Sequence, residues 1–196
     1  MKKLVSGVAF AACAMAMASR ADALELGKVF VEAGVGPVFS SDVDVDGAAE
    51  TAESSANAFV AIGLSNVGGG PVDVRLEYAT SDRDYENSLF AQLQSSSVML
   101  NATYNIPAGP MTLYAGGGLG VIEVEFHGMP GFFDGVDGSD AKVVWQLVGG
   151  ARMPLFSGPL ALFAEGRYQD AGTASIDGVD VEYNSFSAMA GLRWTF

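Results

Sequence analysis

The chain has 196 residues, 49% of them apolar and 17% charged, with 23 acidic residues against 10 basic ones and a formal charge of −13. The apolar content excludes a disordered chain, and the acidic balance excludes a nucleic-acid partner, whose phosphates demand a basic face. The one cysteine, Cys13, excludes a disulfide framework and a cysteine-rich zinc site.

At the N-terminus, Lys2 and Lys3 precede an apolar run over residues 4–18 and then the string SRADA. A basic start, an apolar core and a small-residue A-x-A site are the layout of a secretory signal peptide. The run is shorter than the roughly 20 residues a spanning helix needs. Cleavage is expected after Ala23, with Ala18 as the alternative. Phe10 stands where a lipoprotein signal usually has leucine, which argues against lipidation at Cys13. The expected mature domain, residues 24–196, has 7 basic and 22 acidic residues, a net of −15, and no further apolar run of 18 residues.

Eight segments of that domain alternate with period two: 28–39, 57–66, 71–82, 92–105, 111–122, 142–153, 160–170 and 183–196. Each matches or slightly exceeds the roughly 9–11 residues with which a tilted strand crosses a bilayer. Three connections, around NVGGGP (66–71), NIPAGP (105–110) and PLFSGP (154–159), are short, uncharged and built on Gly-Pro turn chemistry. The four between them are longer and acidic. Short turns at one end and long loops at the other are the habit of an outer-membrane barrel.

Parity gives the two faces of the wall. Val31, Val72, Leu76, Tyr78, Trp145, Leu147, Leu162, Tyr168, Leu192 and Trp194 share one face, and Val29 belongs to it as well. The opposite face receives Glu32, Asp73, Arg75, Glu77, Arg152, Glu165, Arg167 and Arg193, four acids against four arginines. Apolar outside and polar inside is the alternation of a membrane barrel. A soluble lipocalin-like barrel would reverse it. The inner face is neutral although the chain is strongly acidic, as buried charges require if they are to pair. Tyr78, Trp145 and Tyr168 fall toward the outer rim, and Tyr104, Trp194 and Phe196 toward the inner one. Phe30, Phe59 and Tyr114 point inward as ordinary core aromatics.

The sharpest local motif is DVDVDGAAETAE: Asp42, Asp44, Asp46, Gly47 and Glu53 match the calcium-loop pattern D-x-[DN]-x-[DN]-G-x5-E. It lacks the flanking helices of an EF-hand, and Ala49 stands where a larger apolar residue usually packs. A solvated acidic loop is the competing reading. Inward glycines at 116, 118 and 120 make room for large neighbours rather than cradle phosphate, because the VIEVEF that follows is not helical. Glu123 and Glu125 take the lipid-facing parity, so the fifth segment must leave the hydrocarbon by about residue 122. His127, in HGMPGFF, is the sole histidine and sits above the membrane band. That makes it a solvated loop residue before it is the base of a lipid-modifying enzyme.

The terminal GLRWTF, with Leu192, Trp194 and Phe196 facing outward, resembles the targeting strand of bacterial outer-membrane barrels. Strings such as VDVRLEYAT, SSVMLNATYNI, LYAGGGLGV and WQLVGGARMPL are similar to the small OmpA-type and opacity-like barrels of the porin family. The resemblance implies an all-β fold, an eight-stranded antiparallel up-and-down transmembrane β-barrel in a Gram-negative outer membrane. It also implies insertion by the barrel-assembly machinery and contact with outer-membrane lipid and lipopolysaccharide. Lipopolysaccharide phosphates should be repelled by the acidic loops unless divalent cations bridge them. Eight strands enclose an interior that side chains fill. The expected function is therefore non-enzymatic, in envelope integrity or in adhesion to a host or surface ligand through the loops, and the competing reading is a small porin-like channel. No cofactor is expected, and calcium at the first long loop is the alternative to a solvated acidic loop.

Overall fold

The computed structural model describes residues 27–40, 43–45, 48–50, 55–84, 92–127, 137–176 and 179–196. Strand β1 (Lys28–Ser40) is followed by a small hairpin of β2 (Val43–Val45) and β3 (Ala48–Glu50). Then come β4 (Ser55–Ser65), β5 (Val72–Asp84), β6 (Gln92–Ala108), β7 (Met111–His127), β8 (Asp137–Pro154), β9 (Leu160–Ile176) and β10 (Val179–Thr195). The eight long strands pair antiparallel, each with the next, and β1 closes the ring on β10. Closure matters in lipid, where an open strand edge would leave backbone groups without partners.

Side chains alternate across the wall as the parity predicts. On β5, Asp73, Arg75 and Glu77 are buried inside the barrel, whereas Leu76 and Tyr78 are more than two-fifths exposed on its outer face. A charged interior under an apolar exterior rules out the lipocalin-like arrangement. The exception is Val29, given an outward place by parity, which is buried. Phe196 lies alongside it and donates its backbone N–H to the Val29 carbonyl at 2.9 Å. Aromatic rings pair on the outer surface, with Trp145 and Tyr168 5.5 Å apart and Phe39 and Phe186 6.2 Å apart.

The short connections are turns, as expected: a 3-10 turn at Val67–Gly69, a two-residue turn at Gly109–Pro110 and the turn over residues 155–159. The strand ends differ from the expected ones. β6 continues through Asn105 and Pro107 to Ala108, β7 reaches His127, β8 begins at Asp137, and β9 and β10 run to Ile176 and from Val179. The connection expected over 171–182 is thus mostly a paired hairpin, with Val179 opposite Ile176. The cause is that ladder hydrogen bonds persist where the apolar face has ended. Across β6, β7 and β8 the outward row Val98–Val121–Val143 is apolar and exposed, and the next row is Ser96–Glu123–Ala141. Glu123 therefore lies above the apolar band, on a strand that does not stop at residue 122. Some of the acidic residues expected in the long connections therefore stand on extended strands.

Candidate functional site

The interior is organised in register rows that cross the strands. One row runs Phe30, Gly63, Arg75, Asn101, Gly118, Gln146, Gln169 and Ser185 through β1 and β4–β10. Gly118 separates Asn101 from Gln146, and its missing side chain lets the two meet: Gln146 Nε2 donates to Asn101 Oδ1. A Cβ at Gly118 would lie 2.1 Å from that oxygen. Gln169 Nε2 continues the chain to Gln146 Oε1 at 3.1 Å. A second row places Gly150 between Tyr114 and Glu165, and the Tyr114 hydroxyl donates across it to Glu165 Oε2 at 2.9 Å.

The eight charged side chains expected inside all lie there, in two linked clusters. In the first, Arg75 meets Glu165 at 3.1 Å and Glu77 at 3.3 Å, and Arg167 meets Glu77 at 2.6 Å and also Glu165. In the second, Asp73 takes Arg193 at 2.8 Å and Arg152 at 3.3 Å. Glu32 joins the two, 2.9 Å from Arg75 and 3.3 Å from Arg193. Only Arg152 has a side chain appreciably exposed, at 16%. Asp73 also accepts the Asn66 backbone N–H at 3.1 Å and Asn105 Nδ2 at 2.7 Å.

The arginines make a second kind of contact. The Arg193 guanidinium lies 3.4 Å from the Phe30 ring centroid, and that of Arg167 lies 3.8 Å from the Phe59 centroid. Arg152 and Tyr114 stand 5.7 Å apart in the same way. An arginine over a ring face gains from the ring quadrupole, by about 2 kcal/mol when the pair is desolvated. Phe30, Phe59 and Tyr114 are thus partners of the charges and not plain core. Sequence parity puts them on the inner face, but it carries no signal for which arginine each meets. Asn101, Asn105, Gln146 and Gln169 also share inward parity, and nothing in the sequence marks them as a connected set.

Chemically, the arrangement is a cross-brace. Strands β1, β5, β8, β9 and β10 each contribute ionic groups that meet across the lumen, so every charge is held by opposite charges from other strands. Such a set tolerates burial because each group is paired and hydrogen-bonded.

The remaining expected residues are dispersed. Leu192, Trp194 and Phe196 lie exposed on the outer wall of the last strand and its end, alternating with buried Arg193. His127 ends β7 with its backbone opposite Asp137, and its side chain lies outside the described residues. So do the calcium-loop residues Asp42, Asp46 and Glu53 and the side chain of Asp44. The backbone of Val43–Val45 and Ala48–Glu50 forms hairpin arms with Asp44 opposite Ala49. The expected signal peptide, residues 1–23, also lies outside the described residues.

The sequence profile of the outer membrane protein beta-barrel domain matches residues 7–194. Among solved structures, Neisserial surface protein A superposes with a TM-score of 0.65 at 16% identity, covering 86% of this chain and 97% of that one. A major outer membrane protein from Thermus thermophilus gives 0.60 at 14% identity, covering 86% and 99%. The attachment invasion locus protein of Yersinia pestis, solved with the heparin analogue sucrose octasulfate, gives 0.51 at 18% identity, covering 86% and 99%. No curated protein matches the chain. At these identities the solved structures speak for the fold.

Proposed function

The chain belongs to the outer membrane protein beta-barrel family and is an integral protein of the bacterial outer membrane, and on that premise we propose that it is a plugged, non-enzymatic surface barrel that presents an acidic outer face to a partner. The plug reading rests on one observation above all: eight ionic groups, cross-linked from five strands, occupy the lumen together with the rings they stack on. Opening a continuous water path means separating buried ion pairs, at several kcal/mol for each group left unpaired.

The charge distribution supports the second half. Seventeen acidic residues belong to the outer connections and the strand ends beside them, whereas the lumen balances to zero. A surface of that sign attracts cationic partners and repels polyanions. The Yersinia neighbour was solved with a polysulfated heparin analogue; the partner proposed for this chain has the opposite charge, a lysine- or arginine-rich surface. The barrel serves adhesion or envelope integrity through such contacts. In the test, cells displaying the native barrel are compared with cells in which the acids of residues 42–53 and 134–140 are changed to Asn or Gln. Salt-sensitive attachment of the native cells to an immobilised basic protein, lost in the neutralised variant, is the expected result. Equal attachment by both, or stronger attachment to immobilised heparin, refutes the reading.

A further inference from the structure

The turn between β8 and β9 carries a feature the barrel itself does not require. Phe156 is 94% exposed, more than any other large apolar side chain among the described residues. Its backbone sits at φ 59°, in the left-handed region that a bulky side chain rarely enters. A strained aromatic left in water at a turn tip is doubly unfavourable, and strain of this kind persists where something else requires it. The level of the turn indicates what that is. The Leu155 N–H donates to the Leu160 carbonyl at 2.8 Å, and Leu160 stands opposite Trp194 in the ladder. The Thr195 N–H donates to the Pro159 carbonyl at 3.0 Å, fixing the turn to the last strand. Phe156 is therefore one residue, about 3.3 Å of chain, beyond the level of Trp194. Trp194, Phe196, Met153 and Leu162 are all exposed on the adjoining outer wall. Residues 153–164 contain no charged side chain.

We propose that the 155–159 turn is a lipid anchor: Phe156 inserts its ring into the headgroup–acyl boundary of the inner leaflet and fixes the vertical position of the barrel. The occupant is lipid because the turn continues the apolar band at the level where amphipathic rings belong, and because the segment has no charged side chain to desolvate there. Lipid burial is what offsets the left-handed phenylalanine.

The test places a single tryptophan at the turn, in the refolded barrel carrying Phe156→Trp with Trp145→Phe and Trp194→Phe, in phosphatidylcholine vesicles. The anchor gives blue-shifted emission, loss of more than half the signal to bromines placed high on the acyl chains, and shielding from acrylamide. Emission at the position of a water-exposed indole, quenched by acrylamide and indifferent to bromolipid, overturns the proposal and makes the turn a periplasmic surface. Should the triple variant not refold, a nitroxide on Phe156→Cys in a Cys13→Ser chain answers the same question. Relaxation dominated by oxygen supports the anchor, and relaxation dominated by a water-soluble nickel chelate refutes it.

Discussion

Replacing Arg167 by methionine tests the cross-brace at its most buried arginine. The Arg167 side chain is 1% exposed, pairs with Glu77 at 2.6 Å and with Glu165, and lies over Phe59. After Arg167→Met, Glu165 keeps Arg75 at 3.1 Å and the Tyr114 hydroxyl. Glu77, fully buried, keeps only Arg75 at 3.3 Å. One buried carboxylate is left nearly alone, a loss of about 3–5 kcal/mol, to which the forfeited ring contact adds up to about 2 kcal/mol. Arg193→Met is milder, because Asp73 retains Arg152, Asn105 and the Asn66 N–H, and Glu32 retains Arg75. The double variant Arg167→Met with Glu77→Gln restores lumen neutrality and should recover part of the loss. Urea unfolding of the refolded barrel in vesicles, followed by tryptophan emission, reads these differences. With a slope of about 2 kcal/mol per molar, Arg167→Met lowers the midpoint by about 1.5–3.5 M. A midpoint within about 0.5 M of the native one, or a double variant weaker than Arg167→Met alone, refutes the cross-brace.

Four further outcomes are expected. Gly118→Ala places a Cβ 2.1 Å from Asn101 Oδ1 and 2.6 Å from the Leu100 carbonyl oxygen; it should cost about 1–3 kcal/mol in the same assay. Gly149→Ala, whose Cβ meets only the Tyr114 carbonyl oxygen at 3.9 Å, should stay within about 0.5 kcal/mol of native. Leu147→Lys, on the exposed apolar wall, should cost about 2–4 kcal/mol, and Glu123→Lys at the level above it no more than about 1 kcal/mol; equal costs would mean that the apolar band does not end between Val121 and Glu123. Calcium titrated calorimetrically into the refolded barrel should give no saturable heat, since the backbone of 43–45 and 48–50 pairs as an extended hairpin and does not coil as a calcium-wrapping loop does. A heat abolished by Asp44→Ala with Glu53→Ala would establish the loop as a calcium site.

The fold was legible because lipid imposes a period of two on every strand. Asp73, Arg75 and Glu77 could be placed inside from Val72, Val74 and Leu76 alone. The lipid half of that rule lapses where the apolar band ends: IEVEFH still alternates, but Glu123 and Glu125 take the outward places and DGSDAK does not alternate with it, so pairing of β7 and β8 as far as His127 and Asp137 was not expected. Parity also gives a face without a level. Arg167 and Phe59 are distant in sequence, and only the winding of the rows around the barrel brings one over the other. The same winding turns Gly118, expected only to make room, and Gly150 into gaps across which Asn101 meets Gln146 and Tyr114 reaches Glu165. Phe156 gave no sign in the sequence, where PLFSGP reads as one more Gly-Pro turn; its exposure and its φ of 59° are visible only in three dimensions.

Conductance across a planar bilayer tests the central claim most directly. The refolded native barrel should insert and leave the current at baseline if the Arg75–Glu165–Arg167–Glu77 cluster and the Glu32–Arg193–Asp73 cluster form the proposed plug. A steady open-pore current from the native protein, unchanged in Arg167→Met, would contradict it.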